Sequence, residues 1–227
     1  MNPFPAGLGE QAVLVLAAMV LFTSFLLLAQ TRLLTSIHVF AWQGALVATV
    51  TSLMAWVGQE PHLLLSAGLT LTLKALLIPW MLHRLVRRLG LDRHSESLSY
   101  PALTLLGGAS LVLFSYWVAL PIERLELAST RNIIAISLAV VLLGMVMMVA
   151  RRQAIQQVIG FMSLENGLFM AAVATTHGMP LVVELGIAFD VLVAAILFGI
   201  FFLHIRESIE SLDVDRLNRL SEREERS

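Results

Sequence analysis

Four charged residues lie inside stretches that are otherwise apolar: Lys74, Glu165, Glu184 and Asp190. A charge at the centre of a bilayer costs about 2.5–3.5 kcal/mol on insertion scales, so each needs a buried partner or a task. Their depths are informative. Counted from the starts of the stretches 62–82, 154–175 and 180–203, at the rise of an α-helix, Lys74 lies roughly 18 Å deep, Glu165 roughly 17 Å and Asp190 roughly 15 Å. Two carboxyls and an amine therefore share one level near mid-membrane, while Glu184 sits about one turn from the end of its stretch. Lys74 is too deep to snorkel to either surface. Such a set can pass protons, because the charge of each group in a low-dielectric interior depends on its neighbours. The alternative is that the charges pair only to lock the bundle together.

The elements that must position these groups are membrane-spanning helices. The chain has 227 residues, 58% apolar and 14% charged, with a mean hydropathy of +0.83; soluble domains run at about 45–50% and about 25%. Seven apolar stretches, near 11–29, 37–57, 62–82, 101–119, 132–150, 154–175 and 180–203, each reach the roughly 20 residues that cross a bilayer core. The expected fold is all-α, a polytopic bundle of seven transmembrane helices. There is no cysteine, hence no disulfide, thiolate nucleophile or cysteine-ligated cluster. The six histidines fall at or beyond the ends of the stretches without metal-ligand spacing. No glycine-rich phosphate loop is present. A net charge of −1 gives no reason to expect nucleic acid as a partner.

Orientation follows from the loops. The first ten residues lack Lys and Arg, unlike the start of a signal peptide, so 11–29 reads as a retained span. Alternate loops and the tail hold twelve arginines: Arg32; Arg84, Arg87, Arg88 and Arg93; Arg151 and Arg152; Arg206, Arg216, Arg219, Arg223 and Arg226. The opposite side has only Arg124 and Arg131. The positive-inside rule then places the N-terminus outside and the C-terminus in the cytoplasm. The chain divides into a three-helix region over 1–83, a basic cytoplasmic loop over 84–100, a four-helix region over 101–203 and a cytoplasmic tail over 204–227. Pro79, five residues after Lys74, is expected to bend the third span.

Helix faces add detail. Gln156, Gly160, Ser163, Gly167, Ala171 and Ala174 recur at three- and four-residue spacing, a small-residue stripe that permits close helix approach. Glu165 projects roughly opposite that stripe, towards a different neighbour. Gly186, Asp190 and Ala194 share one face, which aims Asp190 into a tight contact. Asn166 can donate a hydrogen bond there or serve only as a packing amide.

Three segments resemble a known family. Gln157-Val-Ile-Gly-Phe-Met-Ser-Leu-Glu165-Asn-Gly-Leu-Phe, Gly178-Met-Pro-Leu-Val-Val-Glu184-Leu-Gly-Ile-Ala-Phe-Asp190 and Ser211-Leu-Asp-Val-Asp-Arg-Leu look like hydrogenase-4 component E. That family occurs in complex I-like hydrogenases and formate hydrogenlyases. The resemblance is specific over roughly 150–220; before that it rests on hydropathy and the Lys74–Pro79 region. The unit over 132–203 is in turn similar to the K-type subunit of complex I and the C-type subunit of sodium/proton antiporters, whose second and third helices carry proton-translocating glutamates. By that resemblance Glu165 takes the second-helix position and Asp190 the third-helix one, with Asp in place of Glu. Glu184 belongs to the hydrogenase family's own signature.

The resemblance implies a non-catalytic subunit of a group 4 nickel–iron hydrogenase in a prokaryotic cytoplasmic (inner) membrane, with Glu165, Asp190, Lys74 and Glu184 on a proton pathway. It implies no cofactor in this chain; the nickel–iron centre and iron–sulfur clusters belong to partner subunits. The implied partners are antiporter-like and complex I-like membrane subunits, peripheral hydrogenase subunits and the lipid bilayer. The alternatives are a subunit of a cation/proton antiporter without a redox partner, and a structural spacer.

Overall fold

A computed structural model of the chain describes residues 7–58, 61–88, 101–121, 128–176, 186, 188–197 and 199–200. Apolar runs without β-favouring alternation become helices, and no strand occurs among the described residues. The elements are α1 (Leu8–Ala29), α2 (Leu33–Gly58), α3 (Pro61–Thr70), a π-helical segment (Leu71–Leu77), α4 (Ile78–Arg88), α5 (Pro101–Ala119), α6 (Ala128–Ala150) and α7 (Ala154–Thr176). A shorter apolar helix, α8 (Ala188–Leu197), follows.

Six of the helical runs are long and apolar enough to cross a membrane, among the described residues. They coincide with the first six expected spans, with α3, the π-helical segment and α4 forming one continuous run. The seventh expected span is described as α8 together with Gly186, Gly199 and Ile200; the rest of it lies outside the described residues, as do Glu184, residues 89–100 and the tail. α1, α2 and α6 begin three or four residues earlier than expected, and the largest difference is at the end of the third span. The third span does not stop near residue 82 but continues helically to Arg88, so Arg84, Arg87 and Arg88 belong to a helix end rather than to a loop. Cations there complement the carboxyl end of the helix dipole.

The bundle has its polar groups inside and its apolar groups outside, as expected of a protein whose solvent is lipid. Trp42, Leu65, Leu113, Trp117 and Val149 face outward, whereas Ser24, Gln43, Lys74, Ser163, Glu165, Asn166 and Asp190 are buried. α1 packs on α2 and α6, α2 on α7 and on the whole third span, and α6 on α7, while α5 lies to one side against α6 and α1. Two apolar clusters fill the interior, one built around Leu27, Phe40, Leu82 and Met162 and the other around Val20, Val50, Val140 and Val173.

The closest approach is the α6–α7 seam. A Cβ on Gly144 would stand 2.7 Å from the Leu164 backbone nitrogen and 2.8 Å from the Gly160 carbonyl oxygen. A Cβ on Gly167 would stand 2.8 Å from the Ser137 carbonyl oxygen. Gly160 and Gly167 of the expected small-residue stripe thus do bring two backbones together. Ser163, from the same stripe, faces α2 instead.

The π-helical segment carries Lys74. Pro79 explains its position: the proline has no N–H, and in a regular α-helix its ring would collide with the carbonyl four residues back. Widening the preceding turn relieves this. The Ile78 N–H accordingly donates to the Leu73 carbonyl, five residues back rather than four. Gly44 of α2 covers this turn closely, since a Cβ there would stand 3.0 Å from Lys74 Cβ and from its carbonyl carbon.

Candidate functional site

Lys74, Glu165 and Asp190 meet. The Lys74 ammonium Nζ lies 3.0 Å from Glu165 Oε1 and 3.4 Å from Asp190 Oδ1, with the lysine 1% exposed. Three separate elements deliver the groups. The widened turn before Pro79 presents the lysine, α7 presents Glu165 on the face away from its α6 seam, and α8 presents Asp190. Gly186, one turn before Asp190, faces α7: a Cβ there would stand 3.2 Å from the Phe169 ring and 3.9 Å from Glu165 Oε1. The Phe169 ring also flanks the lysine, with Nζ 5.7 Å from its centroid, within range of a cation–π attraction. Glu184, the fourth residue singled out from the sequence, lies outside the described residues.

On the lipid-facing side Glu165 borders an apolar cavity of about 330 Å³, walled by Phe161, Phe169, Phe189 and Leu168. Glu165 Oε2 has no protein hydrogen-bond partner among the described residues. The arrangement can hold and exchange a proton, since two carboxyls next to one ammonium carry one acidic group more than the lysine neutralises. Among the described residues, no group of three or more His, Cys, Asp or Glu side chains is placed to hold a metal ion.

A second polar cluster adjoins the first and contains residues the sequence reading passed over. Gln43 Nε2 donates to Ser24 Oγ (2.8 Å) and to Ser163 Oγ (3.0 Å), and Gln43 Oε1 accepts from Asn166 Nδ2 (3.2 Å). All four residues are buried. Asn166 therefore donates, and its partner is an amide on α2. The two clusters use consecutive residues on both shared helices: Gln43 and Gly44 on α2, Glu165 and Asn166 on α7. The signal available in sequence was an amide at the middle of a span, which costs less than a charge but still needs a partner.

Arg151 lies in the connection between α6 and α7, as its position in the sequence leads one to expect, yet it is buried at 1% exposure. Its guanidinium donates to the Leu28 carbonyl at 2.8 Å and to the Gln30 carbonyl, while Gln157 Nε2 donates to the Arg151 carbonyl at 2.9 Å. It caps the end of α1, where the last carbonyls have no helical partner. Arg151→Ala should therefore lower the detergent melting temperature, each orphaned carbonyl costing about 1–3 kcal/mol. An unchanged melting curve would show that water replaces the cap without loss.

Comparison with known proteins agrees along nearly the whole chain. The uncharacterized protein Rv0085 of Mycobacterium tuberculosis is 34% identical over 199 residues, which is 87% of this chain and 90% of that protein. Hydrogenase-4 component E of Escherichia coli and that of Shigella flexneri are each 24% identical over 212 residues, 93% of this chain and 98% of theirs. The likeness thus extends well before residue 150, where the sequence motifs alone had been thin. No family model and no solved structure matches. A multi-pass membrane protein, the chain belongs to one family with Rv0085 and is a homologue of hydrogenase-4 component E.

Proposed function

We propose that this chain is a membrane subunit of a complex I-like, group 4 nickel–iron hydrogenase, and that Lys74, Glu165 and Asp190 serve proton translocation coupled to redox turnover. One observation carries the reading: an ammonium and two carboxyls, from three different elements, in contact inside a membrane bundle. Ionisable groups at that depth, facing the bundle interior, mark ion or proton pathways. The relatives named as a hydrogenase component supply the redox context.

In this mechanism the chain performs no redox chemistry. Redox events in the peripheral arm change the charge or hydration around Glu165. A proton then binds or leaves one of the carboxyls, and the Lys74 ammonium compensates by moving towards whichever carboxylate stays ionised. Glu184 would extend the path towards the outer face. The twelve arginines on one side against two on the other support seven spans with the N-terminus outside and the C-terminal tail in the cytoplasm. That tail faces the peripheral subunits, which hold the nickel–iron and iron–sulfur centres. The membrane is the prokaryotic cytoplasmic one.

Glu165→Gln tests the reading. In the assembled complex, proton translocation should fall to background while hydrogenase turnover with an artificial electron acceptor persists. Translocation at the wild-type level in a correctly assembled variant would remove Glu165 from the pathway, and only tolerance of neutral substitutions at all of Lys74, Glu165 and Asp190 would leave the chain as a spacer.

A further inference from the structure

The Gln43 cluster has a counterpart two turns away. Ser36 on α2 precedes Gln43 by seven residues, and Gln156 on α7 precedes Ser163 by seven. Seven residues are two turns, so each pair lies on one face of its helix. Ser36, Gln43, Gln156 and Ser163 are all essentially fully buried. The outer pair lies close to the helix starts, Leu33 and Ala154, at the end of the bundle where Arg151 caps α1. Neither side-chain atom of Gln156, Nε2 or Oε1, has a protein partner among the described residues, nor does Asn166 Oδ1. Buried amides without protein partners are satisfied by ordered water. Between the two polar layers stand Phe40 and Ile159, both buried and both in the same apolar cluster.

From this geometry we propose that Gln156, Ser163, Gln43 and Asn166 mark a gated water route. It runs from the Arg151 end of the bundle to the Lys74–Glu165–Asp190 site, and the Phe40–Ile159 layer is its gate. Roughly 10 Å separates the Gln156 and Ser163 levels, a span for about three hydrogen-bonded waters at roughly 2.8 Å spacing. Ser163 lies on the opposite face of α7 from Glu165. The link onward is through Gln43 to Asn166, the immediate neighbour of Glu165, and Asn166 Oδ1 has no protein partner among the described residues. Neutral amides and hydroxyls suit such a route because they both donate and accept hydrogen bonds without binding the proton themselves. The purpose of the route rests on the proton-translocating role proposed for Glu165; its existence does not.

The chain has no cysteine, which permits a direct test. Ser163→Cys and, separately, Ser24→Cys are introduced into the tagged full-length chain in native membranes with its partners present. The vesicles are exposed to silver ion from the aqueous phase, and thiols that remain are counted after denaturation by a maleimide–polymer gel shift. Ala17→Cys, fully buried in the apolar cluster of α1, is the dry reference. The Ser163 and Ser24 variants should react about tenfold faster or more than the Ala17 variant, because thiolate forms only where water reaches. Gln156→Leu should slow Ser163→Cys towards the reference, and Phe40→Ala should accelerate it. Reaction at the Ala17 rate overturns the route, and fast reaction indifferent to Gln156→Leu overturns its course through Gln156. Neither result depends on proton translocation, so a failed route and a failed Glu165 mechanism are told apart: normal pumping by Glu165→Gln with fast silver access would sink only the latter.

Discussion

Lys74→Met is expected to lower the stability of the bundle by about 3–5 kcal/mol, the usual cost of removing one partner from a buried ion pair. Methionine fills nearly the same volume, so the loss is electrostatic rather than a cavity effect. It leaves two carboxyls within reach of each other and without their cation. The diagnostic result is the rescue. With Glu165→Gln and Asp190→Asn added to Lys74→Met, the site is neutral, and stability should return to near the wild-type value, since buried charges replaced together by neutral groups are often no less stable. The check is the melting temperature of the three variants in one detergent. A Lys74→Met protein that melts with the wild type would show that the contacts at 3.0 and 3.4 Å carry no net stabilisation. The rescued triple variant should nonetheless translocate no protons, which separates holding the fold together from moving charge.

The second large effect lies at the α6–α7 seam. Gly144→Val should destabilise more than any conservative change at the triad's edge, because the atoms its Cβ would meet are backbone: the Leu164 nitrogen at 2.7 Å and the Gly160 oxygen at 2.8 Å. A flexible side chain can turn away, but two helix backbones separate only as a unit. Even alanine should cost about 1–3 kcal/mol, the range for overpacked interiors. Gly107→Ala on α5 is the control. A Cβ there meets nothing within 4 Å, so the substitution should be neutral or stabilise by up to about 1 kcal/mol through helix propensity. Equal melting of the two alanine variants would refute the close-approach account. Because the seam fixes the rotation of α7, Gly144→Val should also misplace Glu165 and weaken its contact with Lys74.

What could be read from sequence was set by how expensive each group is in lipid. Lys74, Glu165 and Asp190 stood out because a formal charge at that depth is too costly to be incidental, and equal depth made their meeting a geometric expectation. Gln43 and Ser24 carry no charge and vanish into a hydropathy average, although they organise the neighbouring cluster. Ser163 fitted the small-residue stripe so well that its hydroxyl went unweighed, yet it turns from α6 to accept from Gln43. Arg151 is legible only in part. Its charge and its place between spans point to a loop, where it does lie, but only tertiary structure brings the carbonyls of α1 to it and buries it. Pro79 announced a distortion in the third span but not its form; a kink and a widened turn leave the same trace in sequence.

The widened turn before Pro79 also sets the phase of the third span. One extra residue in a turn offsets everything beyond it by about 100° relative to an uninterrupted helix. In an uninterrupted α-helix Leu82, Leu85 and Val86 would drift round from the line of Ser66 and Thr70; the wider turn sets that drift back, and the whole span stays packed along α2. Lys74 sits within this correction, so the turn that keeps the two halves of the span on one neighbour also carries the ammonium that meets Glu165 and Asp190.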